Sequence, residues 1–305
     1  MNYFDLHCDT LTACYQQKTS LLQNDGQLDL QRGIEVCEKW VQTFAVFVPD
    51  ELRGEEAWNY YRAVYAYLHQ QIDDAKGLLT LKGSPSAGKC RALLSIEGGA
   101  VLGGKLSRIE QLAEDGVSIF GITWNGANEL SGGIATGGGL TPLGREAVLE
   151  LERVRILPDV SHLSVEGVED VLSLTKGPVL ATHSNAKALC AHRRNLSDVQ
   201  IRQIAAAGGL IGVNFYPPFV EEDAEDYPLS TLCRHIEHLA AVGSPSIVAI
   251  GSDFDGAEMP SAVKSIKGLA NLYSFMVKYF GEDFTNQVFY ENAARFFNQY
   301  RQRGM

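Results

Sequence analysis

Six cysteines are scattered through the 305-residue chain, and no two of them form a C-x-x-C pair. That excludes a zinc knuckle and a thioredoxin-like redox motif. Their spacing does not build a small disulfide scaffold either, so reduced thiols in a cytoplasmic protein are the expectation. Long apolar runs are missing: none approaches the ~18 residues of a membrane-spanning helix. Positive charge is short, with 26 Lys and Arg against 37 Asp and Glu for a net −11. The basic residues form no stripe, which argues against nucleic acid and anionic membrane as partners. The N-terminus has no basic n-region and the C-terminal residues Arg301 to Met305 are polar. We therefore expect neither a signal peptide nor a lipid-anchor tail. Inter-domain linkers, low-complexity tracts and strong repeats are also absent, so residues 1–305 are expected to form one domain.

What is present is a rhythm. Eight short runs rich in Val, Ile, Leu and Phe recur at 3–7, 43–48, 91–96, 117–123, 156–160, 178–182, 209–214 and 247–252. They lack polar alternation, as strands covered on both faces do. Helical patterns lie between them at 57–74, 104–115, 142–154, 165–174, 198–207, 228–242, 262–279 and 284–300. Trp58, Tyr61, Val64, Tyr65, Leu68 and Ile72 share one face of the first. Alternating β and α predicts a parallel sheet. Eight units in 305 residues predict an α/β fold of the (β/α)8 TIM-barrel type, with a doubly wound open sheet as the rival. The glycine-rich run from Gly132 to Gly139 reads as a flexible loop after the fourth strand.

Barrel enzymes carry their chemistry at the C-terminal ends of the strands, so those ends are where to look. The first predicted strand ends in His7 and Asp9, two positions apart and on one face, with Cys8 turned into packing. The third ends in Glu97, the fourth in Thr123-Trp124-Asn125, the fifth in Ser161-His162, the sixth in His183-Ser184-Asn185 and the eighth in Asp253. The second, near Asp50, and the seventh, near Asn214, offer less. Each residue alone has a bland reading. A strand-end histidine is often structural, Glu97 can cap a helix, and Asp253 can make an Asx turn. Together, three imidazoles (His7, His162, His183) and three carboxylates (Asp9, Glu97, Asp253) converge on one mouth. That mixture suits Zn²⁺ and its neighbours. Six candidates are too many for one four-coordinate ion and suit two metals bridged by a carboxylate, with a hydroxide between them. Two other motifs fail. Asp253-Phe254-Asp255-Gly256 lacks calcium-loop spacing, and Gly139 to Gly144 is followed by Arg145-Glu146 where a P-loop needs Lys and Ser or Thr.

These motifs resemble, in order and over nearly the whole length, the membrane dipeptidase (renal dipeptidase) family of zinc peptidases in its soluble bacterial form. The resemblance rests on Asp5 to Thr10, Ser95 to Gly99, Gly139 to Glu146, Asp159 to His162, His183 to Asn195 and Gly251 to Gly256. It implies two zinc ions, with His7 and Asp9 on one, His162 and His183 on the other, and Glu97 bridging. It also implies that Arg194 holds the substrate's C-terminal carboxylate and that Asp253 is the acid/base carboxylate. One position departs: where animal members carry a histidine that contacts the substrate carbonyl, this chain has Trp124. The indole can donate but cannot accept or carry charge. Asn125 or Asn128 could supply a further donor.

The expected activity is hydrolysis of short L,L or L,D dipeptides by a metal-bridging hydroxide. Asp253 would act as general base and then acid. Phe215, Tyr216, Pro217 and Pro218 would shape either a side-chain pocket or the core. A homodimer is common in the family. The alternatives are another binuclear amidohydrolase (deacylase, lactonase or cyclic-amide hydrolase) or a metal-binding homologue impaired by Trp124. The former commonly bridges its metals with a carbamylated Lys, and no Lys ends a predicted strand here.

Overall fold

The computed structural model describes residues 1–81 and 88–302. Its strands are β1 (Tyr3–Cys8), β2 (Trp40–Phe47), β3 (Leu79–Thr80), β4 (Cys90–Glu97), β5 (Val117–Gly121), β6 (Leu157–Asp159), β7 (Leu180–Ala181), β8 (Leu210–Val213) and β9 (Val248–Ile250). All the pairings are parallel. Eight strands follow the order β2-β1-β9-β8-β7-β6-β5-β4, and pairing of β2 with β4 closes the ring. This is the (β/α)8 barrel; β3 only adds a two-residue pairing at the start of β4.

The helices are α1 (Thr10–Gln17), α2 (Leu30–Val36), α3 (Gly54–Asp74), α4 (Ser107–Glu114), α5 (Pro142–Val154) and α6 (Val165–Leu174). They continue with α7 (Asp198–Ala206), α8 (Pro217–Val220), α9 (Leu229–Val242), α10 (Leu269–Phe280), α11 (Glu282–Asn286) and α12 (Asn292–Gln302). Local chemistry starts several of them. Thr141 caps α5 ahead of Pro142, Ser164 caps α6, and Ser197 with Gln200 forms a capping box on α7. Two expected helices differ. The segment 262–279 begins as two 3-10 turns and becomes helical only at Leu269. The segment 284–300 is interrupted by a π-turn at Gln287–Glu291. α1, α2 and α8 are short and carried no long apolar period to read.

Two apolar layers fill the barrel and its surround. The inner one takes Phe4, Leu6, Val41, Leu93, Ile119, Leu157, Leu180, Leu210 and Ala249 from the eight strands, and Ala293 and Phe297 from α12. The Phe297 ring stacks on Phe4 at 5.2 Å. Because Phe4 and Leu210 lie near the starts of their strands, α12 closes the N-terminal end of the barrel. The larger layer packs helices on the outer faces of the strands. The strand C-termini are left to the loops.

Candidate metal centre

Two imidazoles meet in the mouth. Nε2 of His162, after β6, lies 2.8 Å from Nε2 of His183, after β7. Both Nδ1 atoms are already engaged. Nδ1 of His183 is 2.9 Å from Thr182 Oγ1, whose own proton goes to Asp159 Oδ2 at 2.5 Å. His183 must therefore donate from Nδ1, which leaves Nε2 a bare lone pair. Nδ1 of His162 lies 3.0 Å from Asn125 Oδ1 and donates in the same way. Two lone pairs thus face each other. Glu97 Oε1 adds an anionic oxygen 3.0 Å from His162 Nε2 and 3.8 Å from His183 Nε2. Such a contact calls for a cation.

The other oxygen of Glu97 looks the opposite way. Its Oε2 is 3.4 Å from His7 Nε2, which also stands 3.4 Å from Asp9 Oδ2 and 3.8 Å from Asp253 Oδ1. His7, Glu97 and His183 offer ligand atoms within 4.8 Å of one another, as do His7, Asp9 and Asp253. His7 Nε2 and Asp9 Oδ1 are buried without a hydrogen-bond partner. Burial, then the charge of Arg194, pushes His162 down to about 4, and burial with the charge of His7 pushes His183 well down, so both are neutral near pH 7. For His7, burial alone would lower the pKa, but Glu97 and Asp9 raise it well above the ordinary value. Burial and Glu97 lift Asp9 to about 7. The carboxylates therefore demand positive charge beside them. Neutral imidazoles, clustered carboxylates and orphaned ligand atoms fit a divalent-metal centre.

The backbone reaches this arrangement by unexpected routes. β1 carries a register shift between Asp5 and Cys8, which puts Cys8 in the outer layer although Leu6 belongs to the inner one. Asp9 has left the strand and is the N-cap of α1. His162 and Asp253 both have left-handed backbone, with φ of 69° and 65°. Non-glycine residues occupy that region at an energetic cost, and such residues cluster at functional sites. Gly256 packs closely under the ligands: a Cβ there would lie 2.0 Å from Asp9 Oδ2 and 2.8 Å from Asp253 Oδ1, so those carboxylates would have to shift.

Two buried carboxylates hold the ligand loops, and neither was singled out in the sequence. Asp159 Oδ1 accepts from the N–H of Ser161 and of Thr182, the residues just before His162 and His183. Asp5 does the same for the other half, accepting from the N–H of His7 and of Ser252, the Ser252 hydroxyl, Gln42 Nε2 and the Tyr3 hydroxyl. Their signal was a carboxylate inside an otherwise apolar strand. Asn214, which follows β8, donates to Asp253 Oδ2 at 2.9 Å and does more than its strand end suggested. Asn125 likewise acquires a contact with His162 that its reading as a substrate donor did not include. The glycine-rich loop is pinned, since Ile134 donates its N–H to His162 O at 2.8 Å and Gly133 pairs with Leu163.

The expected site residues line two separate cavities, and only the first is walled by the ligand cluster. One, of about 270 Å³, is lined by Asp9, Glu97, His162 and Asp253, with Phe47 and Trp124 among the other walls. The second, of about 90 Å³, is lined by Arg194 with Ser184, Asn195 and apolar residues including Val160 and Leu163. Arg194 is 6% exposed, donates from Nη2 to His183 O at 3.4 Å, and lies 5.3 Å from the Phe219 ring. Its Nε, Ser184 Oγ and Asn195 Oδ1 are buried without partners. Phe215 and Pro217 are buried, while Tyr216 is half-exposed. Among the described residues no helix is long and apolar enough to cross a membrane.

The profile of the membrane dipeptidase family, peptidase family M19, matches residues 1–304. A metallo peptidase from Rhodobacter sphaeroides, crystallised with a phosphinate mimic of the dipeptide L-Ala-D-Ala, superposes with a TM-score of 0.92 at 26% identity over 98% of this chain and 99% of that one. A dipeptidase of family M19, dipeptidase AC, gives 0.91 at 27% identity over 98% of each chain. An uncharacterised dipeptidase of Schizosaccharomyces pombe is 30% identical over 71% of this chain, and the match spans 58% of that protein. An uncharacterised protein of Klebsiella pneumoniae is 34% identical over 68% of this chain and 83% of its own length. With the profile spanning the barrel and every strand-end group described above, the chain belongs to the membrane dipeptidase family of hydrolases.

Proposed function

We propose that this chain is a binuclear zinc dipeptidase acting on L,L or L,D dipeptides, with the whole reaction carried by one barrel domain. The observation that carries the reading is the split of Glu97, with Oε1 turned to His162 and His183 and Oε2 to His7. His7 and Asp9 would hold one ion, His162 and His183 the other, and Glu97 both. When bound, the ions supply Lewis acidity, polarising the scissile carbonyl and acidifying a water.

The remaining steps belong to the chain. Asp253 is held by Asn214 through Oδ2, which leaves Oδ1 toward the His7 cluster. Burial raises its pKa above the ordinary carboxyl value, which suits a group that takes a proton from water and returns it to the leaving amine. Arg194 has a buried Nε without a partner, and its charge acts on His162, His183, Asp253 and Glu97, so it would hold the free carboxylate of a short peptide beside the cluster. The indole of Trp124 and the Nδ2 of Asn125 are the donors near the scissile bond. Six free, buried thiols support a cytoplasmic setting.

The test is hydrolysis of an L,L and L,D dipeptide panel by zinc-loaded protein, with Asp253→Asn as control. Turnover that vanishes in the control supports the reading. Two bound zinc ions with no turnover of any dipeptide would refute it.

A further inference from the structure

We propose that Phe47 and Trp124 form the wall that reads the side chain of the substrate's N-terminal residue, and that they select an apolar one. This rests on the dipeptidase reading above and adds a substrate class to it.

The argument begins with the ring of strands. Phe47 ends β2, and Arg194 lies in the loop after β7. β2 and β7 are four strands apart in either direction round the ring, so they stand on opposite walls. The ligand cluster lies between. A dipeptide with its carboxylate at Arg194 and its amide at the cluster must place its N-terminal residue on the β2 side. The cavity there is the one of about 270 Å³.

Its walls have a clear chemistry. Phe47 and Trp124 meet edge to face at 5.0 Å, and both are half-exposed to the cavity mouth. Edge-to-face contact is a favoured arrangement for two aromatic rings. Trp124 also reaches the cluster, with its ring 6.4 Å from that of His162. Ala13 and Thr12 of α1 line the same space. No Lys or Arg is among the lining residues, whereas Asp9, Glu97, Asp253 and Asp255 are. The cavity therefore has no cationic side chain to pair with an acidic one and has carboxylates near a free amine. Asp255 accepts from the Thr10 hydroxyl and the Gln27 N–H, so part of its acceptor capacity is taken up within the fold. Two aromatic faces then favour aliphatic and aromatic groups by removing apolar area from water.

The experiment is a series of X-Ala dipeptides with X as Gly, Ala, Leu, Phe, Lys and Glu, run with wild type, Trp124→Ala and Phe47→Leu. The wild type is expected to prefer Leu or Phe over Gly by roughly tenfold or more in kcat/KM. Trp124→Ala is expected to collapse that ratio, chiefly through KM. A binding readout accompanies it: calorimetric affinities of phosphinate analogues of Leu-Ala and Gly-Ala, whose difference should shrink in the same variant. A flat series, a preference for Lys or Glu, or a ratio unchanged in Trp124→Ala would overturn the proposal. Any of those outcomes still requires turnover, so they are distinct from failure of the dipeptidase reading, in which no member of the series is hydrolysed.

Discussion

Thr182 Oγ1 donates to Asp159 Oδ2 at 2.5 Å and receives the Nδ1 proton of His183 at 2.9 Å. The threonine thereby fixes the imidazole tautomer that leaves Nε2 free. Groups one step behind a metal ligand typically change metal affinity about 10- to 100-fold when removed. Thr182→Val keeps the shape and removes the hydroxyl. We expect its zinc affinity, measured by competition with a chromogenic chelator, to fall in that range, with Thr182→Ser restoring most of it. Equal affinities for wild type and Thr182→Val would contradict this role.

Gly256→Ala should act on the other half of the cluster. Its methyl group would collide with Asp9 and Asp253 at the distances given above. If the chain holds two ions as proposed, the expected result is a loss of bound metal from about two per chain toward one, read by elemental analysis after dialysis. Full occupancy in the variant would mean that Asp9 can retreat and still bind.

His235 gives a pH prediction away from the cluster. It is fully buried, accepts the Ala186 N–H at Nδ1, and lies 2.9 Å from Val220 O through Nε2. Burial lowers its pKa from 6.5. The unfolded chain therefore takes up this proton first as the pH falls, so the stabilising contribution is complete above about 6.5 and declines below it. Urea unfolding at pH 8 and at pH 5 should show a larger drop for the wild type than for His235→Gln, which keeps one acceptor and one donor but does not titrate. Parallel drops would remove His235 from the account.

Phe297→Ala tests the closure of the barrel. The residue is 3% exposed and sits in the inner layer. Truncating a buried phenylalanine costs about 3–5 kcal/mol. Chemical denaturation should show a loss of that order. Zinc affinity should be unchanged, because the residue lies at the end of the barrel away from the ligands.

The strands and the main strand-end groups were legible because two-sided burial leaves continuous apolar runs, and His7, Glu97, His162, His183 and Asp253 interrupt them at their ends. Asp5 and Asp159 were hidden for the converse reason. A carboxylate within a strand reads as a blemish until its donors are known, and those donors come from segments up to 247 residues away. The pinning of the glycine-rich loop was equally hidden, since Ile134 finds its partner in His162 only after β6 is in place. The route of Asp9 was misread in detail. An i, i+2 spacing suggested a shared strand face, whereas a register shift and a helix cap bring it to His7.

Among the described residues, Phe297 and Ala293 pack into the N-terminal end of the barrel, which leaves the rim at the strand C-termini as the approach to the cluster. On the dipeptidase reading proposed above, substrate would enter and both amino acids would leave past the same rim of Phe47, Trp124 and the loop after β7. The amino acid that departs last would then bar the next dipeptide. Progress curves should therefore slow as product accumulates, and adding that free amino acid at the outset should raise the apparent KM while leaving kcat in place.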